Sequence, residues 1–225
     1  MLRRPPHVHA LPLSPAGEQP ANRESLNVEP DRHPRHRQST VSTGEVVRPA
    51  SSSSLAGVIP ERIRWAIGTL AVEPGDRLLE IGGGPGVAAS LVCERLDRGT
   101  FLLIDRSPTA IERTHRRNPE HVASGRLALE TVDVASFDPG KARFDKVFAV
   151  NVNVFWTTPA TEELARIRRA LDHEGRLFLF YETPSAARSR HAVARVVDAL
   201  RANGFAEPRL ISHSATLVGC VAHPA

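Results

Sequence analysis

The chain has 225 residues, 41% of them hydrophobic and 24% charged, enough for one ordinary globular domain with or without a tail. Its apolar runs are strand-sized, far below the ~20 residues of a membrane span, and Cys93 and Cys220 offer neither a disulfide framework nor metal-ligand spacing. The formal charge of +4 is split evenly, with seven Arg against five acids in residues 1–54 and 22 basic residues against 20 acids thereafter, so nothing resembles a surface built to track nucleic acid.

Residues 1–54 contain no Phe, Tyr, Trp or Ile, hold eight of the eighteen prolines, and end in the run Ser51-Ser52-Ser53-Ser54. Such a segment buries too little apolar surface to offset the entropy of ordering it, which predicts a disordered tail. It holds no apolar stretch of the ~7–15 residues that a secretory signal requires. Pro5, Pro6, Pro12 and Pro15 break any amphipathic transit helix at the start, so a cytoplasmic location is expected.

A domain over residues 55–225 follows, with helix and strand signals in alternation. Ile59, Ile63, Ala66, Ile67 and Leu70 stripe one face of a helix. After the Pro74-Gly75 turn, Leu78–Ile81 reads as a buried strand running into glycines and then a helix through about Leu96. Phe101–Ile104 is a second strand, and Ser107-Pro108 a helix start with Ser at the N-cap. Leu127–Val132 and Lys146–Val150 are the third and fourth strands. Leu164, Ile167 and Leu171 mark a helix that Gly175 is expected to stop, ahead of a fifth strand at Leu177–Tyr181. Val193, Val196, Val197 and Leu200 stripe a last helix closed by Asn203-Gly204, and two strands near Arg209–Ser212 and Thr216–Val221 end the chain. The alternation predicts an α/β fold, a doubly wound and mostly parallel seven-stranded sheet with helices on both faces. The terminal pair has too short a connection for a crossover and must be an antiparallel hairpin.

The informative segment is Leu79-Glu80-Ile81-Gly82-Gly83-Gly84-Pro85-Gly86-Val87-Ala88-Ala89. A strand, a glycine loop and a helix N-terminus let a ligand approach the backbone closely. The spacing fits two patterns: Gly84-Pro85-Gly86-Val87-Ala88-Ala89 satisfies the dinucleotide fingerprint G-x-G-x-x-A, and Gly82, Gly84 and Gly86 form G-x-G-x-G behind an acid. No Gly-Lys-Ser/Thr follows, which excludes a phosphate P-loop. Glu80, two residues before the first glycine, would sit badly beside a pyrophosphate but well beside an ammonium. Asp105 ends the next strand, placed to accept both hydroxyls of a ribose. Asp133 follows the third strand on the same rim, with Phe137-Asp138 behind it.

This arrangement resembles the class I S-adenosylmethionine-dependent methyltransferases, a Rossmann-like family, over about residues 57–222. The resemblance implies S-adenosyl-L-methionine as cofactor. It implies Glu80, Gly82 and Gly84 around its methionine end with Gly86 beside them, Asp105 on the ribose, and Arg106 flanking the adenine. Asp133 would receive the adenine amino group, Val134 would meet the ring, and Asn151 would lie near the methionine portion. The competing readings are an NAD(P)-dependent oxidoreductase and a catalytically inactive binding subunit of the same fold. Intact Glu80, Gly82, Gly84, Asp105 and Asp133 speak against the latter.

Methyl transfer is an in-line displacement that demands alignment and exclusion of water. Asn151-Val152-Asn153-Val154-Phe155-Trp156, after the fourth strand, is where the resemblance places residues facing the acceptor. It is neither the Asn-Pro-Pro-aromatic motif of amine-directed nucleic-acid enzymes nor a metal-holding acid, so no metal is expected. Tyr181, Glu182 and His191 are candidates by position, and none is assigned as a base. The helix around Val58–Leu70 and the loop Asn153–Thr158 are the segments available as a lid, with Phe155, Trp156 and Trp65 as its aromatics, Trp65 being equally suited to burial in the core. A lid of that size suits a small-molecule acceptor, with neither a membrane nor nucleic acid as partner.

Overall fold

The computed structural model describes residues 59–225, so the tail expected over residues 1–54 lies outside the described residues. The described residues form, in chain order, α1 (Glu61–Leu70), β1 (Arg77–Ile81), α2 (Val87–Cys93), β2 (Thr100–Asp105), α3 (Pro108–Arg117), α4 (Pro119–Ala123), β3 (Leu127–Thr131), β4 (Phe144–Val150), α5 (Val154–Thr157), α6 (Thr161–Ala170), β5 (Leu171–Glu182), α7 (Ala186–Ala202), β6 (Phe205–Ser212) and β7 (Leu217–Pro224), with no helix between β3 and β4 or between β6 and β7; the strands are seven. They form one sheet in the order β3-β2-β1-β4-β5-β7-β6. The first five strands are parallel, and β7 runs antiparallel to both β5 and β6. The expected mostly parallel sheet with a terminal hairpin is what forms.

The two-residue period of the strands divides the core into two layers. On β1, Leu79 and Ile81 face one layer with Val147, Leu164, Ile167, Leu179 and Val196. Leu78 faces the other, with Ala66, Ile67 and Leu70 of α1, Ala88 and Val92 of α2, and Phe101, Phe148 and Phe178 from the strands. Helix ends follow their sequence signals in two cases. Ser107 Oγ accepts from the Ala110 N–H at the start of α3, and α7 ends at Asn203 ahead of Gly204, whose φ is +75°.

One boundary differs from expectation. Helix α6 stops at Ala170, Leu171 is already extended with ψ 143°, and Gly175 lies inside β5 without a positive φ. A Cβ at Gly175 would stand 2.7 Å from the Phe144 carbonyl. Gly175 is there because strand β4 passes too close for a side chain, not because a helix needs a stop.

Helix α1 also departs from its expected role. Trp65 packs edge-on against Phe180 at 5.1 Å and lies 6.0 Å from His213, so α1 covers a face of the sheet instead of roofing its end. The chain reverses its direction of travel across the sheet between β1 and β4, and the adjoining carboxyl ends open a crevice there.

Candidate functional site

A cavity of about 600 Å³ opens at the carboxyl ends of β1, β2 and β4 and the residues after β3. Its volume is in the range of small-molecule and cofactor sites. Six of the residues expected from the sequence line it: Gly82, Asp105, Arg106, Asp133, Val134 and Asn151. Glu80, Gly84 and Gly86 are not on its wall. Val152, Asn153, Thr157 and Glu163 also line the cavity. The Asn153–Thr158 segment expected as a loop is mostly the short helix α5, bordering the cavity through Val154 and Thr157 while Phe155 is buried in the core.

The glycine loop is shaped by close approach. Gly82 has a φ of +70°, and a Cβ there would come within 2.7 Å of Val152 Cγ2. A Cβ at Gly83 would meet the fully buried Leu103 side chain at 2.3 Å, so that glycine is required for loop-on-sheet contact and not only for turning. Gly86, at the left-handed N-cap of α2, has Thr114 and Asn118 packed where a side chain would go.

Thr114 and Asn118 are supporting residues that sequence reasoning missed. Thr114 Oγ1 donates to the Gly84 carbonyl at 2.9 Å, and Asn118 Nδ2 donates to the Gly86 carbonyl at 3.1 Å. Ser90 Oγ donates to Asn118 Oδ1 at 2.6 Å, closing a brace between α2 and α3. Both Thr114 and Asn118 are buried, and a polar pair on an otherwise charged, amphipathic α3 was the only trace of this in the sequence.

Asp105 joins the loop to the second strand. Its Oδ2 accepts from the Gly84 N–H at 3.0 Å and its Oδ1 from the Ser107 N–H at 2.9 Å. An ionised carboxylate has about four acceptor positions, so both oxygens retain capacity toward the cavity. Asp133 uses one oxygen to accept from the Ala135 N–H at 3.0 Å, fixing the turn after β3 while staying exposed. Asn151 holds a φ of +58°, a conformation an asparagine tolerates, and its Oδ1 accepts from the Glu182 N–H at 2.8 Å. Asp138 turns away and pairs with Arg169.

Glu80 is the anomaly. It is 3% exposed, and its Oε2 has no hydrogen-bond partner. Burial pushes its carboxyl up to about 8, with the nearby Asp105 charge adding to the effect. An unmet buried acceptor at the head of a ligand loop is costly unless a ligand or its hydration shell answers it.

The three other polar candidates are engaged. Tyr181 is buried, donates from its hydroxyl to the Val152 carbonyl at 3.3 Å, and is held protonated beyond the ordinary phenol range by desolvation. Glu182 pairs with Arg62 at 2.8 Å. His191 lies edge-on to Trp156 with ring centroids 6.2 Å apart.

A family model described as a methyltransferase domain matches residues 79–177, from the end of β1 into β5. YrhH of Bacillus subtilis, a protein named as a methyltransferase, is 25% identical over 132 residues, 59% of this chain and 72% of its own length. Among solved structures, the pyocyanin biosynthetic protein PhzM superposes with a TM-score of 0.59 at 18% identity, over 71% of this chain. The superposition spans 53% of PhzM, so the chain corresponds to about half of that protein. An S-adenosylmethionine-dependent methyltransferase from Aquifex aeolicus superposes with a TM-score of 0.58 at 12% identity, over 71% of this chain and 88% of its own.

Proposed function

The chain belongs to the class I S-adenosylmethionine-dependent methyltransferases, and from that premise we propose that it methylates a small molecule bound at the carboxyl rim of the sheet. The observation that carries the cofactor site is the conjunction of Glu80, with its unpartnered buried oxygen, and the loop above it, where side chains at Gly82, Gly83 and Gly86 would clash. A loop whose glycines cannot accept side chains, backed by an acid, fits a positively charged amino-acid end. An acid beneath the loop at Glu80 suits a pyrophosphate poorly, which makes the dinucleotide reading the second one although Asp105 fits the ribose of either ligand.

In this reading Gly82, Gly84 and Glu80 surround the methionine end of the cofactor, with Gly86 shaping the loop beside them. Asp105 accepts the ribose hydroxyls while its present bonds to Gly84 and Ser107 fix its rotamer. Arg106 and Val134 flank the adenine, Asp133 takes its amino group, and Asn151 borders the methionine portion. The chemistry the cofactor supplies when bound is a methyl group activated by a sulfonium.

The protein's own contribution is to align and to exclude water. Val152 and Val154 give the cavity apolar wall, and Asn151, fixed by the Glu182 N–H, orients the polar edge where an acceptor would lie. Tyr181 keeps its proton and Glu182 its partner Arg62, so neither is assigned the removal of a proton. The near-balanced charge of residues 55–225 and the size of the crevice favour a small molecule over RNA or DNA.

Calorimetric titration with S-adenosylhomocysteine and with NADH tests the reading. A saturable one-to-one isotherm for the first and none for the second is expected. NADH binding without S-adenosylhomocysteine binding would overturn the assignment, and salt-sensitive methyl labelling of bulk tRNA or rRNA would overturn the acceptor class.

A further inference from the structure

A second cavity of about 300 Å³ adjoins the first and shares Asn151 and Asn153 with it. We propose that this is the acceptor subsite, and that its occupant is a small planar acid whose anionic group is held by Arg188. The inference rests on the methyltransferase reading of the neighbouring cavity and specifies the substrate class for it.

Size and shape come first. The volume is on the order of ten water molecules at ~30 Å³ each, room for one substituted ring. Trp156, Tyr181 and Pro184 supply apolar wall. A molecule lying there reaches the first cavity only across Asn151 and Asn153, so its reacting atom must be at that junction and the rest of it toward Arg188.

Charge selects the class. Two ionisable side chains of opposite sign line the subsite, Glu182 and Arg188. Glu182 is already neutralised by Arg62 at 2.8 Å. Arg188 has no ion pair among the described residues, and its guanidinium carbon stands 5.1 Å from the centroid of the Trp156 ring. The indole holds the planar cation in place without satisfying its N–H fork, whose geometry matches a carboxylate.

The surroundings of Arg188 favour an anion further. It lies in the first turn of α7, where the helix dipole is positive and no acidic residue stands, its own N–H being taken by the Ser185 Oγ. His191, at the other edge of Trp156, can add only positive charge. Tyr181 contributes none, because its hydroxyl is buried and donating to Val152. A neutral occupant would bury the Arg188 charge without a partner, and a cationic one would meet it directly.

The test uses the full chain saturated with S-adenosylhomocysteine and three probes of nearly equal size: benzoate, benzamide and benzylamine. Their binding is followed by ligand-observed NMR titration. Benzoate should bind at least about tenfold more tightly than benzamide, the size of effect expected for one charge-assisted contact, with benzylamine weakest. Arg188→Ala should bring benzoate down to the benzamide level while leaving S-adenosylhomocysteine affinity unchanged, and Arg188→Lys should restore part of the difference. Equal binding of benzoate and benzamide, no benzoate binding to protein that holds S-adenosylhomocysteine, or an Arg188→Ala variant with unaltered benzoate affinity would each overturn the assignment. A parent chain that fails to bind S-adenosylhomocysteine would overturn the methyltransferase reading itself, and this assignment with it.

Discussion

At the amino ends of β1, β4 and β5, Arg77 bridges Asp145 and Asp172, and Lys146 meets Asp76 at 2.5 Å while also donating to the Ala71 carbonyl. At the carboxyl edge of the sheet, Glu80 keeps an oxygen with no partner, Asp105 accepts only two backbone N–H groups, and Arg188 stands near Trp156 without an ion pair among the described residues. A cavity of comparable volume, about 630 Å³, lies at the amino end, yet its Arg77 is answered by Asp145 and Asp172 and its Lys146 by Asp76. Size therefore does not distinguish the two ends. What distinguishes them is whether the buried polar groups are satisfied by the fold, as Asp76 is, or left for something else, as the Glu80 Oε2 is.

If the amino end is structural, breaking a pair there should cost stability and leave binding untouched. The Asp76 and Lys146 side chains are only 10% and 16% exposed, so this pair is screened far less than a surface one. Asp76→Ala removes the acceptor for both the Lys146 ammonium and the Glu73 N–H. We expect a loss of about 2–4 kcal/mol, between the loss of a charged hydrogen bond and that of a fully buried pair. For a domain of this size that lowers Tm by about 2–4 °C per kcal/mol. Thermal unfolding checks it, with S-adenosylhomocysteine affinity as the control. A drop in affinity at unchanged Tm would mean that the amino end takes part in the site.

The carboxyl end should behave in the opposite sense. Asp105→Ala should weaken S-adenosylhomocysteine binding by about 1.5–3 kcal/mol, roughly tenfold to a hundredfold or more, because hydrogen bonds to a charged acceptor are lost. The accompanying loss of stability should be smaller, about 1 kcal/mol, since the Gly84 and Ser107 N–H groups lose an acceptor near solvent. Calorimetry and a melting curve on one sample separate the two. An Asp105→Ala protein that binds like the parent would remove the ribose from this position.

The contrast between the two ends was only half legible in the sequence. Period-two and helical stripes placed the strands and most of the helices, because burial on one face dictates them locally. Strand-end acids such as Asp105 and Asp133 were legible for the same reason, once the strands ended where they do. The pairing of Arg77 with Asp145 and Asp172, by contrast, joins residues 68 and 95 positions apart. The brace from Thr114 and Asn118 to the glycine loop spans 30 and 32 positions. Nothing local marks such partners. Leu171 was misplaced because an apolar residue at helical spacing after Ile167 reads identically whether it ends a helix or begins a buried strand. Trp65 reads equally as a lid or a core residue, because an aromatic on a helix stripe does not say which sheet face the helix will cover, and its packing on Phe180 decides for the core.

The remaining expected effect concerns Glu80, and its sign can be worked out. Burial first, and Asp105 second, raise its carboxyl from an ordinary 4.5 to about 8. Between those values the folded chain keeps a proton that the unfolded chain has released, so stability falls as pH rises from about 4.5 to about 8 and levels off beyond. Glu80→Gln cannot ionise and lacks this slope. The difference in Tm between parent and Glu80→Gln, measured from pH 5 to 8.5, should therefore favour the variant increasingly up to about pH 8, while titration of other groups cancels in the comparison. Ligand binding should act in the other direction. The amino-acid end of S-adenosylhomocysteine brings an ammonium toward the loop that Glu80 backs, which favours the ionised acid and expels its proton. At pH 7 the parent should then release a fraction of a proton on binding, seen as a calorimetric enthalpy that varies with the ionisation heat of the buffer, and Glu80→Gln should not. Equal buffer dependence in both proteins would detach Glu80 from the ligand and make its unpartnered oxygen a strain carried by the loop alone.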